Sequence, residues 1–225
     1  MKKGLLTAAV LAASVLVLHG CGGDKKDEKP AASSAKTLEY SYFDFKKSEQ
    51  GGRLRVQARI VPEAKDNINK MTLAATCMGA AKHLASESAA KVSSVFIMDQ
   101  KAPPFAMRTI ATCHYAPDGG GFSGEQKWTW DGVTAADRTT TESEKKISVA
   151  WAEMRGQYQK DGVTDEDALK KAIAKKYKMK ADDVHLPYVS PEKVTVTPEL
   201  ENVPELRPMD GKNYDWRDSC RLSKM

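Results

Sequence analysis

Apolar and polar positions alternate through Leu38, Tyr40 and Tyr42 ahead of Phe43 and Phe45, and again through Leu54, Val56, Ala58 and Ile60. A period of two is that of a half-buried strand, and Ser48-Glu49-Gln50-Gly51-Gly52 lies between the two runs, so a β-hairpin is predicted. Pro62 ends its second strand. From Lys65 to Lys91 the chain is rich in Ala, Met and Leu, with glycine only at 79. Ile68, Met71, Ala75, Met78, Leu84 and Ala85 recur near helical spacing, which predicts one long helix with an apolar stripe. Val92–Met98 reads as a β-branched strand. Pro103-Pro104 breaks the chain before a further strand from Phe105 to Tyr115, and a glycine-rich loop over 116–124 leads to a short strand around Trp128 and Trp130.

Thr141-x-x-Glu144 is a capping box, and Ile147, Trp151, Met154 and Tyr158 follow at steps of four, three and four. After Gly162 a second helix restarts at Thr164, with Asp165, Glu166 and Asp167 at its positive end and Leu169, Ala172, Ile173 and Tyr177 on its buried side. Val184–Tyr188 and Lys193–Thr197 are candidate edge strands. From Pro198 the chain, with Pro204 and Pro208, reads as extended coil that docks on the domain and does not fold by itself. The fold class is therefore α+β: a mixed or antiparallel sheet, a long helix across one face and two further C-terminal helices.

The N-terminus has a different pattern. Lys2 and Lys3 precede an uncharged apolar run from Gly4 to Leu18. Spanning a bilayer takes roughly 20 apolar residues, so this shorter run reads as a secretion signal. Leu18-His19-Gly20-Cys21 resembles the lipobox of bacterial lipoproteins, although His19 stands where a small or aliphatic residue is usual. The resemblance implies cleavage before Cys21 and lipidation of that residue, palmitate included, with several acyl chains giving stable anchoring. Gly22 follows the cysteine; the acid that favours inner-membrane retention in such lipoproteins is absent, so the periplasmic face of the outer membrane is expected. Gly22–Lys36 is Gly, Ser, Ala, Pro and charge, the composition of a flexible tether with a reach of about 20 Å. The organisation expected is a signal over 1–20, a lipid-anchored tether over 21–36, a globular domain over 37–197 and a tail over 198–225.

Composition adds few constraints on function. The chain of 225 residues is 41% hydrophobic with net charge +5, and removal of residues 1–20 takes Lys2 and Lys3 with it and leaves +3. Charges of both signs are interspersed, so no basic stripe marks a nucleic-acid partner. Lys170, Lys171, Lys175, Lys176, Lys178 and Lys180 read as a solvated helix face.

Besides Cys21 there are Cys77 in the long helix, Cys113 in a strand and Cys220 near the end. In an oxidising periplasm one disulfide and one leftover thiol are expected. A Cys77–Cys113 bridge would pin the helix to the sheet and close a loop of about 36 residues, worth roughly 3 to 4 kcal/mol in the chain-entropy model. We favour that pairing, while pairing of either residue with Cys220 stays open. No metal site or other cofactor is expected: Cys113 and His114 are strand neighbours pointing to opposite faces, and Cys77 and His83 lack ligand spacing.

Gly119 and Gly124 stand at P-loop spacing, but Glu125 and Gln126 follow where Lys and Ser or Thr are required. Nor does Gly121-Phe122-Ser123-Gly124 form a nucleophile elbow. The loop reads as a connection in which glycine supplies positive φ and Asp118 a local turn, with Phe122, Trp128 and Trp130 as candidate contacts to a ligand or partner. The run from Tyr115 through Gly124, with a tryptophan soon after and Ala150-Trp151 in a later helix, resembles an uncharacterised domain family of bacterial lipoproteins and phage-encoded proteins, over about residues 38–190. That resemblance implies a single domain and transfers no catalytic residues. The functional expectation is a binding or interaction module in the envelope, with an envelope protein as partner. A periplasmic enzyme, in which Asp118, Glu125 and His114 would gather, and a phage-derived envelope factor are the alternatives.

Overall fold

The structure is a computed structural model that describes residues 35–64, 66–103 and 105–209. The signal segment, Cys21, most of the tether and the tail from 210, Cys220 included, lie outside the described residues. The predicted hairpin is formed by β1 (Tyr40–Gln50) and β2 (Arg53–Pro62), antiparallel across the Gly51-Gly52 turn. A long helix, α1 (Lys70–Ser88), returns the chain so that β3 (Val92–Met98) runs parallel to β2. Then β4 (Thr109–Tyr115) and β5 (Trp130–Ala135) add antiparallel strands.

Two helices follow, α2 (Glu142–Met154) and α3 (Glu166–Tyr177), with the two-residue strands β6 (Gln159–Lys160) and β7 (Val163–Thr164) paired between them. Last come β8 (Glu192–Lys193), which closes the sheet against β5, and the one-turn helix α4 (Pro198–Glu201). The six-stranded sheet has the order β1-β2-β3-β4-β5-β8, mixed through its one parallel pair. This is the α+β architecture expected.

Alternation along the strands sorts the sheet into two faces. Val56, Ala58, Ile60, Val95, Ile97, Ala111 and Cys113 turn toward α1 and are buried in the main core. The helix begins later than its composition suggests because Asn69 caps it: its side chain accepts from the Met71 and Thr72 amides, each at 3.0 Å, while Thr72 Oγ1 accepts from the Asn69 amide. The expected single stripe is too narrow a description, since every residue from Thr72 to Ala81 is buried. The second cover is the C-terminal segment. Leu200 and Val203 are fully buried, the Leu206 amide donates to Gly79 O at 3.0 Å, and the Tyr40 hydroxyl donates to Leu206 O at 2.6 Å.

Gly79 permits that crossing, because a Cβ there would lie 2.9 Å from both Leu206 Cβ and Pro204 O. Within the tail, residues 198–209 lie against α1, with Thr197 capping a turn of helix that was not expected. Cys77 and Cys113 sit at disulfide distance with their Cα atoms 6.0 Å apart, joining α1 to β4.

Other local expectations shift for physical reasons. The strand expected from Phe105 begins only at Thr109, because Phe105 adopts φ 75° in a turn closed by the Ala106 amide on Pro103 O. Val184–Tyr188 forms no strand: Val184 is drawn into a second cluster with Leu169 and Ile173, and Pro187 has no amide to give. Asp165, not Thr164, caps α3, accepting from the Ala168 amide. The capping box at Thr141 and Glu144 forms as read, and Lys171, Lys175, Lys176, Lys178 and Lys180 are exposed.

Candidate functional site

Among the described residues no helix packs on the sheet face opposite α1, and the polar half of each strand's alternation lies there. On β2 that half is Arg53, Arg55, Gln57 and Arg59. On β3 it is Ser94 and Phe96, on β4 Thr112 and His114, and on β5 Asp131 and Thr134. One row across this open face is chemically distinctive. Gln57, Ser94, His114 and Asp131 are successive register partners on four adjacent strands. Within it, Ser94 Oγ and His114 Nδ1 are 2.8 Å apart.

Burial pushes the His114 imidazole below the ordinary histidine value, partly opposed by the Asp131 charge, so the ring is neutral at pH 7. Its position depends on β5. Two residues, Gly132 and Val133, span the stretch that Cys113 alone spans on β4, and Gly132 takes the φ of +58° that this bulge requires. A Cβ on Gly132 would fall 2.8 Å from His114 Cδ2.

The loop before β5 is folded onto one end of the open face and fastened there. Arg53 donates to both Asp118 oxygens, at 3.1 and 2.9 Å, and to Gly121 O at 3.0 Å. Arg55 donates to Phe122 O at 2.8 Å, and the Phe122 amide donates to Gln126 Oε1. The Arg53 guanidinium, helped by the Gly120 amide, holds the Asp118 carboxyl down at about 2.

Phe122 is thereby set edge-on against His114 at 5.1 Å and against Trp128 at 4.9 Å, with the Arg55 guanidinium 5.7 Å over its ring. Phe96 meets His114 from the other side at 6.1 Å. Beyond Phe96 lies a groove of about 320 Å³ lined by Gln57, Arg59, Phe96, Met98, Phe105 and Thr109, among others. Phe105, 81% exposed, forms its lip.

The three aromatic contacts expected from the sequence are therefore divided. Phe122 and Trp128 are half-buried partners on the open face. Trp130 stacks on Tyr115 at 4.4 Å, and Tyr115 shares the Cys113 side of β4, so Trp130 belongs to the opposite face. Nor does the loop gather Asp118 and Glu125 with His114. Asp118 is committed to Arg53, and the acid opposite His114 is Asp131.

A family of domains of unknown function, DUF4875, matches residues 35–189. The chain belongs to this family. The expected uncharacterised domain over about 38–190 thus coincides with a DUF4875 domain. A crystal structure of a DUF487 family protein from Desulfovibrio piger is similar at 39% identity with a TM-score of 0.67, covering 72% of this chain and 97% of that one. No curated protein matches.

Within this DUF4875 domain, sequence reasoning named His114, Phe122 and Trp128 but missed Ser94, Arg55 and Asp131. The alternation that sends Cys113 inward and His114 outward was available. The register that brings Ser94 and Asp131 beside His114 is not encoded in any local spacing.

Proposed function

We propose that this is a lipid-anchored envelope protein, held at the periplasmic face of the outer membrane through Cys21, whose open sheet face is a binding surface. The observation that carries the binding half is the aromatic and arginine cluster of Phe96, His114, Phe122, Trp128 and Arg55, fixed by Arg53 and Arg55 on a face that no helix covers among the described residues. Aromatic rings beside guanidinium groups favour a partner that presents flat or apolar groups together with an acceptor. The anchoring half is supported by the apolar run ending in Leu18-His19-Gly20-Cys21 and by the tether composition that follows.

Crosslinking in intact cells tests the binding surface. The wild type captures a specific envelope component, the Phe122→Ala, Trp128→Ala double variant loses it, and Tyr188→Ala, at a site 84% exposed outside the cluster, retains it. Equal capture by all three proteins, or none by the wild type, contradicts this reading.

A further inference from the structure

We propose that Ser94 is a nucleophile activated by His114, and that the open face hydrolyses esters of apolar acyl groups. The inference uses only the accessibility of that face and does not require the lipid anchor or a protein partner. Two observations meet on this face. Ser94 Oγ lies 2.8 Å from His114 Nδ1, with Asp131 the next residue in the row. Serine, a neutral imidazole and a carboxylate in sequence are the parts of an activated hydroxyl. Second, the groove starts at Gln57 and Phe96, the lateral neighbour of Ser94 and the next outward residue along β3. Its Phe96, Met98, Phe105 and Met107 walls suit an acyl chain.

The step balances without a co-reactant other than water. Ser94 Oγ attacks the acyl carbon while its proton passes to His114 Nδ1, and the leaving alcohol departs with that proton. Water then attacks the Ser94 acyl ester, giving its proton to Nδ1. Collapse releases the carboxylic acid and returns the proton to Ser94 Oγ. The charged groups facing the imidazole are Asp131 from β5 and Arg55 from β2, reached through Phe122. Asp131 acts on His114 through its charge: Asp131→Asn removes a negative charge, so the acid limb of the pH–rate profile moves to lower pH.

The test uses the full purified chain with p-nitrophenyl butyrate and octanoate, and a fluorophosphonate probe mapped by peptide mass. Hydrolysis on the order of 100-fold or more above the buffer rate is expected, with octanoate preferred and the probe on Ser94. Ser94→Ala and His114→Asn both fall to the buffer rate while unfolding at the wild-type temperature. Folded wild-type protein at the buffer rate with no label on Ser94 overturns the proposal. So does hydrolysis that survives Ser94→Ala. If His114→Asn unfolds early, Ser94→Ala with probe mapping decides alone. No partner capture by the wild type, or equal capture by the Phe122→Ala, Trp128→Ala variant, with hydrolysis intact refutes the binding surface and leaves this inference standing.

Discussion

Gly132 and His114 illustrate how single residues set the open face. The left-handed backbone at Gly132 costs an ordinary residue about 1–2 kcal/mol, and its missing Cβ leaves room for the imidazole. Gly132→Ala is therefore expected to lower stability by at least that amount in denaturant melts and to move the His114 ring off Ser94, read as a shift in its titration. Acid dependence follows from other residues. Asp118 and Glu144 are both held at about 2, by Arg53 and Arg138 respectively. A depressed carboxyl contributes stability that is complete above its unfolded value near 4 and is lost as pH falls through the folded value. Stability should thus decline between about pH 4 and 2, and Asp118→Asn should flatten part of that decline. At this scale the turn chemistry of Asp118 and the Thr141 box were readable, because each is contained within four residues.

At the scale of elements, α1 is held on two sides. The Cys77–Cys113 pair ties it to β4, and Lys82 Nζ donates to Glu201 O and Val203 O, at 2.5 and 2.7 Å, on the docked segment. Closing the 36-residue separation is worth about 3–4 kcal/mol by loop entropy. The Cys77→Ala, Cys113→Ala variant, or reduction, should lower the melting temperature by about 10 °C for a domain of this size. Gly79→Ala should release residues 200–206 from α1, seen as faster amide exchange at Leu206 with the sheet amides still protected. The hairpin, α1, β3, α2 and α3 were legible because each carries its own period. The late start of β4 and the loss of a strand over 184–188 were not. They result from a left-handed Phe105 and from the pull of Val184 into the α2–α3 cluster, both tertiary effects. The burial of α1 on nearly all sides was equally illegible, since the covering segment lies more than a hundred residues away.

At the scale of the domain, the sheet has one face committed to the core and one that no helix covers among the described residues. Sequence alternation identified the committed half in the hairpin, through Val56, Ala58 and Ile60. It assigned Trp130 to the wrong group because a tryptophan near a glycine loop carries no mark of which side its strand will present. In the proposed reading the domain is held at the envelope through a lipid on Cys21, and that placement is what a measurement must establish first. The most direct measurement is palmitate labelling with membrane fractionation, with and without globomycin, an inhibitor of signal peptidase II, alongside Cys21→Ser. The account predicts a labelled, outer-membrane protein whose unprocessed precursor accumulates with the inhibitor, and a Cys21→Ser chain that takes no label. Unchanged processing and fractionation under globomycin, or no label on the wild type, would contradict it.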